Sequence, residues 1–223
     1  MSERVPIFGF RQWQSRRWLL AGLAAVVLAA GAAVITLGLT PGLRTEPPSE
    51  AVPSSPIGGP FALTTANGQT LTDRDVRGKW LLMYFGYTNC PDICPGTLLE
   101  ISETLKTLGP LAAEVQPLFI TIDPQRDTPE AVYAFVEAFD DRIIGLTGTP
   151  AQIAAVAKEY HVYYARNPAS AADGNSYFMD HTAFVYVMGP DGKYVTLFSP
   201  LLGQTSDQMA AKLRDLITGA RSG

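Results

Sequence analysis

Two stretches of the chain, "KWLLMYFGY" at residues 79–87 and "VQPLFITID" at residues 115–123, are apolar at nearly every position instead of at alternate ones. An extended chain points successive side chains to opposite faces, so strands of this composition are stable only where both faces are covered. A segment of helical periodicity follows each of them. "GTLLEISETLKTLG" spaces Leu98, Ile101, Leu105 and Leu108 at three- and four-residue steps, which makes one apolar helix face. "EAVYAFVEAF" reads as a helix entered through Pro129 with Thr128 as its N-cap. "RIIGLTG" is a further short strand, and "TPAQIAAVAKEYHV" a helix capped by Thr149 with Pro150 at its first position. Strands and helices that alternate in this way predict an α/β fold.

The two ends of this region differ from its middle. Asn67-Gly68 inside "FALTTANGQTLT" marks a small leading β-hairpin. Near the end, "HTAFVYVM" and "KYVTLFSP" flank the turn "GPDG" and are expected to pair antiparallel, and "QTSDQMAAKLRDLI" closes the chain as an amphipathic helix. A βαβ unit followed by a ββα unit, with a mixed sheet flanked by helices, is the thioredoxin arrangement.

Ahead of this domain, residues 18–40 contain no charged side chain. At about 1.5 Å per residue such a stretch matches the roughly 30 Å hydrocarbon core of a bilayer. Arg4, Arg11, Arg16 and Arg17 precede it, so the positive-inside rule keeps the arm 1–17 cytoplasmic and exports the chain beyond residue 40. A signal-peptide core is usually about 7–15 residues long, and the greater length here favours an uncleaved anchor over a cleaved leader. Residues 41–60, rich in Pro, Ser and Gly, read as a tether, with the folded domain over 61–220. Residues 1–44 carry five basic side chains and one acidic, which leaves 12 basic and 20 acidic beyond them, a net charge of about −8. That charge argues against a nucleic-acid partner.

The chain has two cysteines, both in "YTNCPDICPG" directly after the first buried run. In an exported domain they can be oxidised, yet a bridge closing so short a loop stabilises little by restricting the unfolded chain. At the start of a helix, unpaired N–H groups and the helix dipole favour thiolate, so Cys90 and Cys94 suit either thiol exchange or a soft metal. Their spacing does not choose between the two. Of the two histidines, His161 in "KEYHVYY" reads as a surface or packing residue. His181 opens the run "HTAFVYVM", and in a thioredoxin-like sheet the beginning of that strand lies near the cysteine-bearing helix start. Met83 and Met188 belong to strand runs and read as core, and Tyr87 as packing over the site. There is no Gly-rich phosphate loop and no assembled Ser/His/Asp set.

"YFGYTNCPDICPGTL", "FITIDPQRDTPE", "GLTGT" and "DHTAFVYVMGPDGKY", in this order, resemble the Sco/SenC family of membrane-anchored copper chaperones for cytochrome c oxidase assembly, over roughly residues 60–217. The resemblance implies a thioredoxin-like fold and a copper ion held by Cys90, Cys94 and His181. It further implies delivery to the Cu(A) site of oxidase subunit II, with another copper chaperone as a candidate donor. The exported side is then a bacterial periplasm or a mitochondrial intermembrane space. Two thiolates and one imidazole accept Cu(I), whereas structural zinc normally takes four protein ligands. The loop "DPQRDTP" is placed beside the copper site by the same resemblance, so Asp123 and Asp127 are candidates for tuning it from behind, and Asp180 for orienting His181. Two other roles remain open: a thiol-disulfide oxidoreductase in which Cys90 and Cys94 are the catalytic redox pair, and a redox or copper sensor.

Overall fold

The computed structural model describes residues 56–167 and 177–221. The expected N-terminal arm, the apolar span and residues 41–55 of the tether lie outside the described residues, among which no helix is long and apolar enough to cross a membrane.

A hairpin of β1 (Ala62–Thr64) and β2 (Thr70–Thr72) leads the domain. Next come β3 (Trp80–Gly86), α1 (Ile93–Leu108), β4 (Val115–Thr121), α2 (Pro129–Glu137), β5 (Ile144–Leu146) and α3 (Pro150–Glu159). The short strands β6 (Tyr164–Arg166) and β7 (Met179–His181) follow, then β8 (Val185–Met188), β9 (Tyr194–Phe198) and α4 (Ser206–Arg221). The central sheet has the order β5-β4-β3-β8-β9. Its β3, β4 and β5 are parallel, while β8 runs antiparallel to both β3 and β9. This is the mixed sheet flanked by helices that the patterning predicts. All seven residues of β3 are buried, and so are six of the seven in β4.

The helix starts follow the expected chemistry. Thr128 accepts from the Ala131 N–H, and Thr149 forms a reciprocal capping box with Gln152. Helix α1 is different: its N-cap Asp92 makes no side-chain capping bond. Its apolar face, Leu98, Ile101, Leu105 and Leu108, is buried as the spacing requires. The folded chain also begins ahead of Phe61. Ile57 packs against the core, and Gly58, at φ 101°, donates to the Glu159 carbonyl.

One expected element is rearranged. His181 does not open the strand that continues to Met188. It closes β7, which pairs with β6 in a separate two-stranded sheet, with His181 opposite Tyr164. Thr182 then bonds back to Tyr163, its N–H to the carbonyl at 2.9 Å and its hydroxyl accepting from the Tyr163 N–H at 3.1 Å. The central sheet resumes only at Val185, so residues 182–184 form a step between two sheets.

Close packing of α2 on β5 leaves no room at Gly145, where an added Cβ would lie 2.6 Å from Val132 Cγ1 and 3.2 Å from the Val132 carbonyl. Gly145→Ala is therefore expected to destabilise the domain by about 1–3 kcal/mol in chemical denaturation, with the chemistry of the cysteines unchanged.

Candidate metal centre

Strand β3 ends at Gly86, and the chain then turns through residues 87–92 into α1. Cys90 precedes the helix instead of lying in it, and Cys94 occupies the second helical position. The Cys90 Sγ accepts the N–H of Cys94 at 3.3 Å, so a sulfur takes one of the helix-start donors that Asp92 leaves uncapped. Pro95 sits in the first turn, where no carbonyl partner for its nitrogen is lost.

His181 completes the cluster. The sulfurs of Cys90 and Cys94 and a ring nitrogen of His181 all lie within 4.8 Å of one another, in a group able to hold a metal ion. The Cys94 Sγ is 3.7 Å from His181 Nε2. Nδ1 of the same ring faces the Thr182 carbonyl at 3.1 Å. A carbonyl can only accept, which assigns the proton to Nδ1 and turns the Nε2 lone pair toward the sulfurs. Aromatic rings fix the imidazole: Tyr87 meets it edge-on at 5.9 Å and 88°, and Tyr84 at 6.3 Å and 65°. Cys90 and His181 border a cleft of about 370 Å³ that is also lined by Pro91, Phe178, Met179 and Leu201, with the Cys94 sulfur buried behind them.

The two thiols are driven apart electrostatically. Cys90 is lowered to about 4, chiefly because the Cys94 thiol donates to its sulfur, with further help from the Cys94 and Asp92 N–H groups against the cost of burial. Cys94 is raised because its proton is engaged by Cys90 and because it is fully buried. The Tyr84 hydroxyl, 3.5 Å from the Cys94 sulfur, partly opposes that rise.

The three candidate carboxylates occupy different places. Asp127 is buried and takes the Thr88 N–H at 3.0 Å, the Thr88 hydroxyl at 2.6 Å and the Thr121 hydroxyl at 2.5 Å. It thereby pins the cysteine-bearing turn to the end of β4. Burial pushes its pKa up, and the threonine hydrogen bonds pull against that. Asp123 is also buried but is engaged by Arg126 and Tyr177. Asp180 is exposed and accepts from Asn167 Nδ2 at 3.0 Å, while the histidine is oriented by a backbone carbonyl. Met83 and Met188 are fully buried, and Met179 is half-buried at the cleft. His161, at φ 54°, lies in the turn after α3 and outside the cluster.

Sequence reasoning missed Tyr84 and Gly86. A tyrosine within a strand buried on both faces must find a partner for its hydroxyl, and that signal was present in "KWLLMYFGY". At Gly86 an added Cβ would lie 2.9 Å from the Cys94 sulfur, so the glycine makes the space that the thiol fills. Reduced, metal-free protein is expected to carry Cys90 as thiolate at any pH well above about 4. Alkylation of Cys90 by iodoacetamide, followed by mass spectrometry, should therefore be nearly constant from pH 6 to 8, whereas an ordinary thiol accelerates about tenfold per unit below its pKa near 8.5. Cys94 should react far more slowly across that range.

Comparison with known proteins agrees with this geometry. A model of the SCO1/SenC family matches residues 49–218. Among curated relatives, the mitochondrial SCO1 homolog of Mus musculus is 46% identical over 144 residues, 64% of this chain and 50% of the relative. Mitochondrial SCO2 of Saccharomyces cerevisiae is 34% identical over 220 residues, 96% of this chain and 69% of the relative. The chain spans about half the length of the SCO1 relatives from mouse and human, at 50% and 47%. Among solved structures, Bradyrhizobium japonicum ScoI with copper bound is 45% identical with a TM-score of 0.65, covering 71% of this chain and 98% of that one. Yeast Sco1 with copper bound is 35% identical with a TM-score of 0.67, over 73% and 89%. A family match across most of the chain, joined to relatives of this similarity, means that the chain belongs to the SCO1/SenC family.

Proposed function

We propose that this protein is a membrane-anchored copper chaperone in cytochrome c oxidase assembly, which holds copper between Cys90, Cys94 and His181 and hands it to the Cu(A) site of subunit II. The observation that carries the reading is the orientation of His181, whose Nε2 lone pair is turned toward two clustered sulfurs by the bond from Nδ1 to the Thr182 carbonyl. Two thiolates and an imidazole form a soft three-donor set suited to Cu(I). The solved relatives described as copper-bound support the same choice of metal. Copper would have to displace the Cys94 proton, and the charge of the metal would offset the burial of two thiolates. The apolar span 18–40 would tether the domain on the exported side, facing the oxidase.

The unequal thiols favour a second reading, reduction of the disulfide of the same oxidase subunit. The Cys90 thiolate would attack one sulfur of that disulfide and release the other as thiolate. Cys94, after losing its proton, would attack the Cys90 sulfur and release the second thiolate, so that two electrons pass to the substrate. A raised Cys94 pKa slows that last half-step, which favours the copper role.

Cys90→Ser and Cys94→Ser are expected to abolish stoichiometric copper binding by the purified protein, read by elemental analysis after desalting. Cells carrying His181→Ala as their only copy are expected to lose assembled cytochrome oxidase, read by heme spectroscopy of membranes. Normal oxidase in that strain would reject the copper role and leave thiol exchange.

A further inference from the structure

Strands β6 and β7 have three residues each and pair only with one another, and a two-stranded ribbon of that size has little stability of its own. His181 terminates β7, so something outside the ribbon must hold this nitrogen donor against sulfurs that sit firmly at the start of α1. The link is a cluster of Tyr177, Asp123 and Arg126 that lies outside the donor set. The Tyr177 hydroxyl donates to Asp123 Oδ1 at 2.7 Å. Arg126 uses Nε on Asp123 Oδ2 at 2.5 Å and Nη1 on the Tyr177 carbonyl at 2.9 Å, and its Cζ lies 3.6 Å from the centre of the Tyr177 ring. Arg166, from β6, brings a second guanidinium to 4.1 Å from the same ring. Arg126 also lies 5.9 Å from the ring of Tyr87, which packs edge-on with His181. One guanidinium therefore touches both the segment that carries the histidine and the aromatic floor on which it rests.

We propose that Tyr177 is a positioning residue for His181: the Asp123, Arg126 and Tyr177 cluster latches the histidine-bearing segment to the loop after β4, and releasing it withdraws the nitrogen donor while both sulfurs stay in place. The inference rests on the copper reading above. It supplies that reading with a route to transfer, because copper left on two sulfurs is more open to an incoming thiolate than copper held by three donors. The Arg126 Nη2, buried and without a hydrogen-bond partner, marks the cluster as a place where order is maintained at some cost.

The test uses the purified full-length protein and the variants Tyr177→Ala, Tyr177→Phe and Arg126→Lys. In metal-free wild type, long-range proton–nitrogen spectra should show the His181 ring as a single Nδ1-protonated tautomer. In Tyr177→Ala that signal should move toward an averaged ring, and Cu(I) affinity, read by competition with a chromophoric chelator, should fall about 10- to 100-fold. Arg126→Lys keeps the charge but loses the planar fork, and it should follow Tyr177→Ala. If Tyr177→Ala does not fold, Tyr177→Phe, which removes only the bond to Asp123, should change both readouts in the same direction by a smaller amount. Wild-type ring spectra together with affinity within twofold of wild type in the folded variants would overturn the proposal. Wild type that binds no copper would instead overturn the copper reading, with the metal-free spectra still deciding the latch.

Discussion

Strand β3 is hydrogen-bonded along both edges, to β4 and to β8, and all seven of its residues are buried. A strand held in this way has no freedom to slide or tilt, because a shift of one residue would exchange the side chains packed on its two faces. The turn that leaves it at Gly86 inherits that rigidity. So do Cys90, four residues beyond, and Cys94, whose sulfur fills the space beside Gly86. Asp127 extends the same control by tying Thr88 in the turn to Thr121 at the end of the neighbouring strand. The sulfurs are thus placed by the centre of the sheet.

The nitrogen donor is placed by other means. His181 reaches the sulfurs from a small ribbon outside the central sheet, oriented by one backbone carbonyl and by the edges of Tyr84 and Tyr87. A centre assembled from one rigid and one lightly held part would suit the proposed release of the ion. A structural metal site would normally close with four protein donors.

Much of this was legible in the sequence, and the limits have physical causes. Continuous apolar runs located β3 and β4, and the Thr-Pro pairs at 128–129 and 149–150 located two helix starts, because burial and capping are local signals. The cysteines stood out by their position between a buried strand and a helix. His181 was singled out, but "HTAFVYVM" read as one strand, since the step at residues 182–184 depends on bonds to Tyr163 far back in the chain. Asp180 was read as a possible orienter of the histidine, a task that falls to the Thr182 carbonyl, which no sequence pattern marks. Tyr177 reaches Asp123 and Arg126 only through the tertiary fold, so the joint role of the three could not be read from their spacing.

The central claim is that two sulfurs and one nitrogen from these three side chains hold copper together. X-ray absorption spectroscopy of the copper-loaded full-length protein tests it most directly. A first shell of two sulfurs and one imidazole nitrogen, with the nitrogen lost in His181→Ala, is the predicted result. A shell without sulfur, or one unchanged by His181→Ala, would contradict the account.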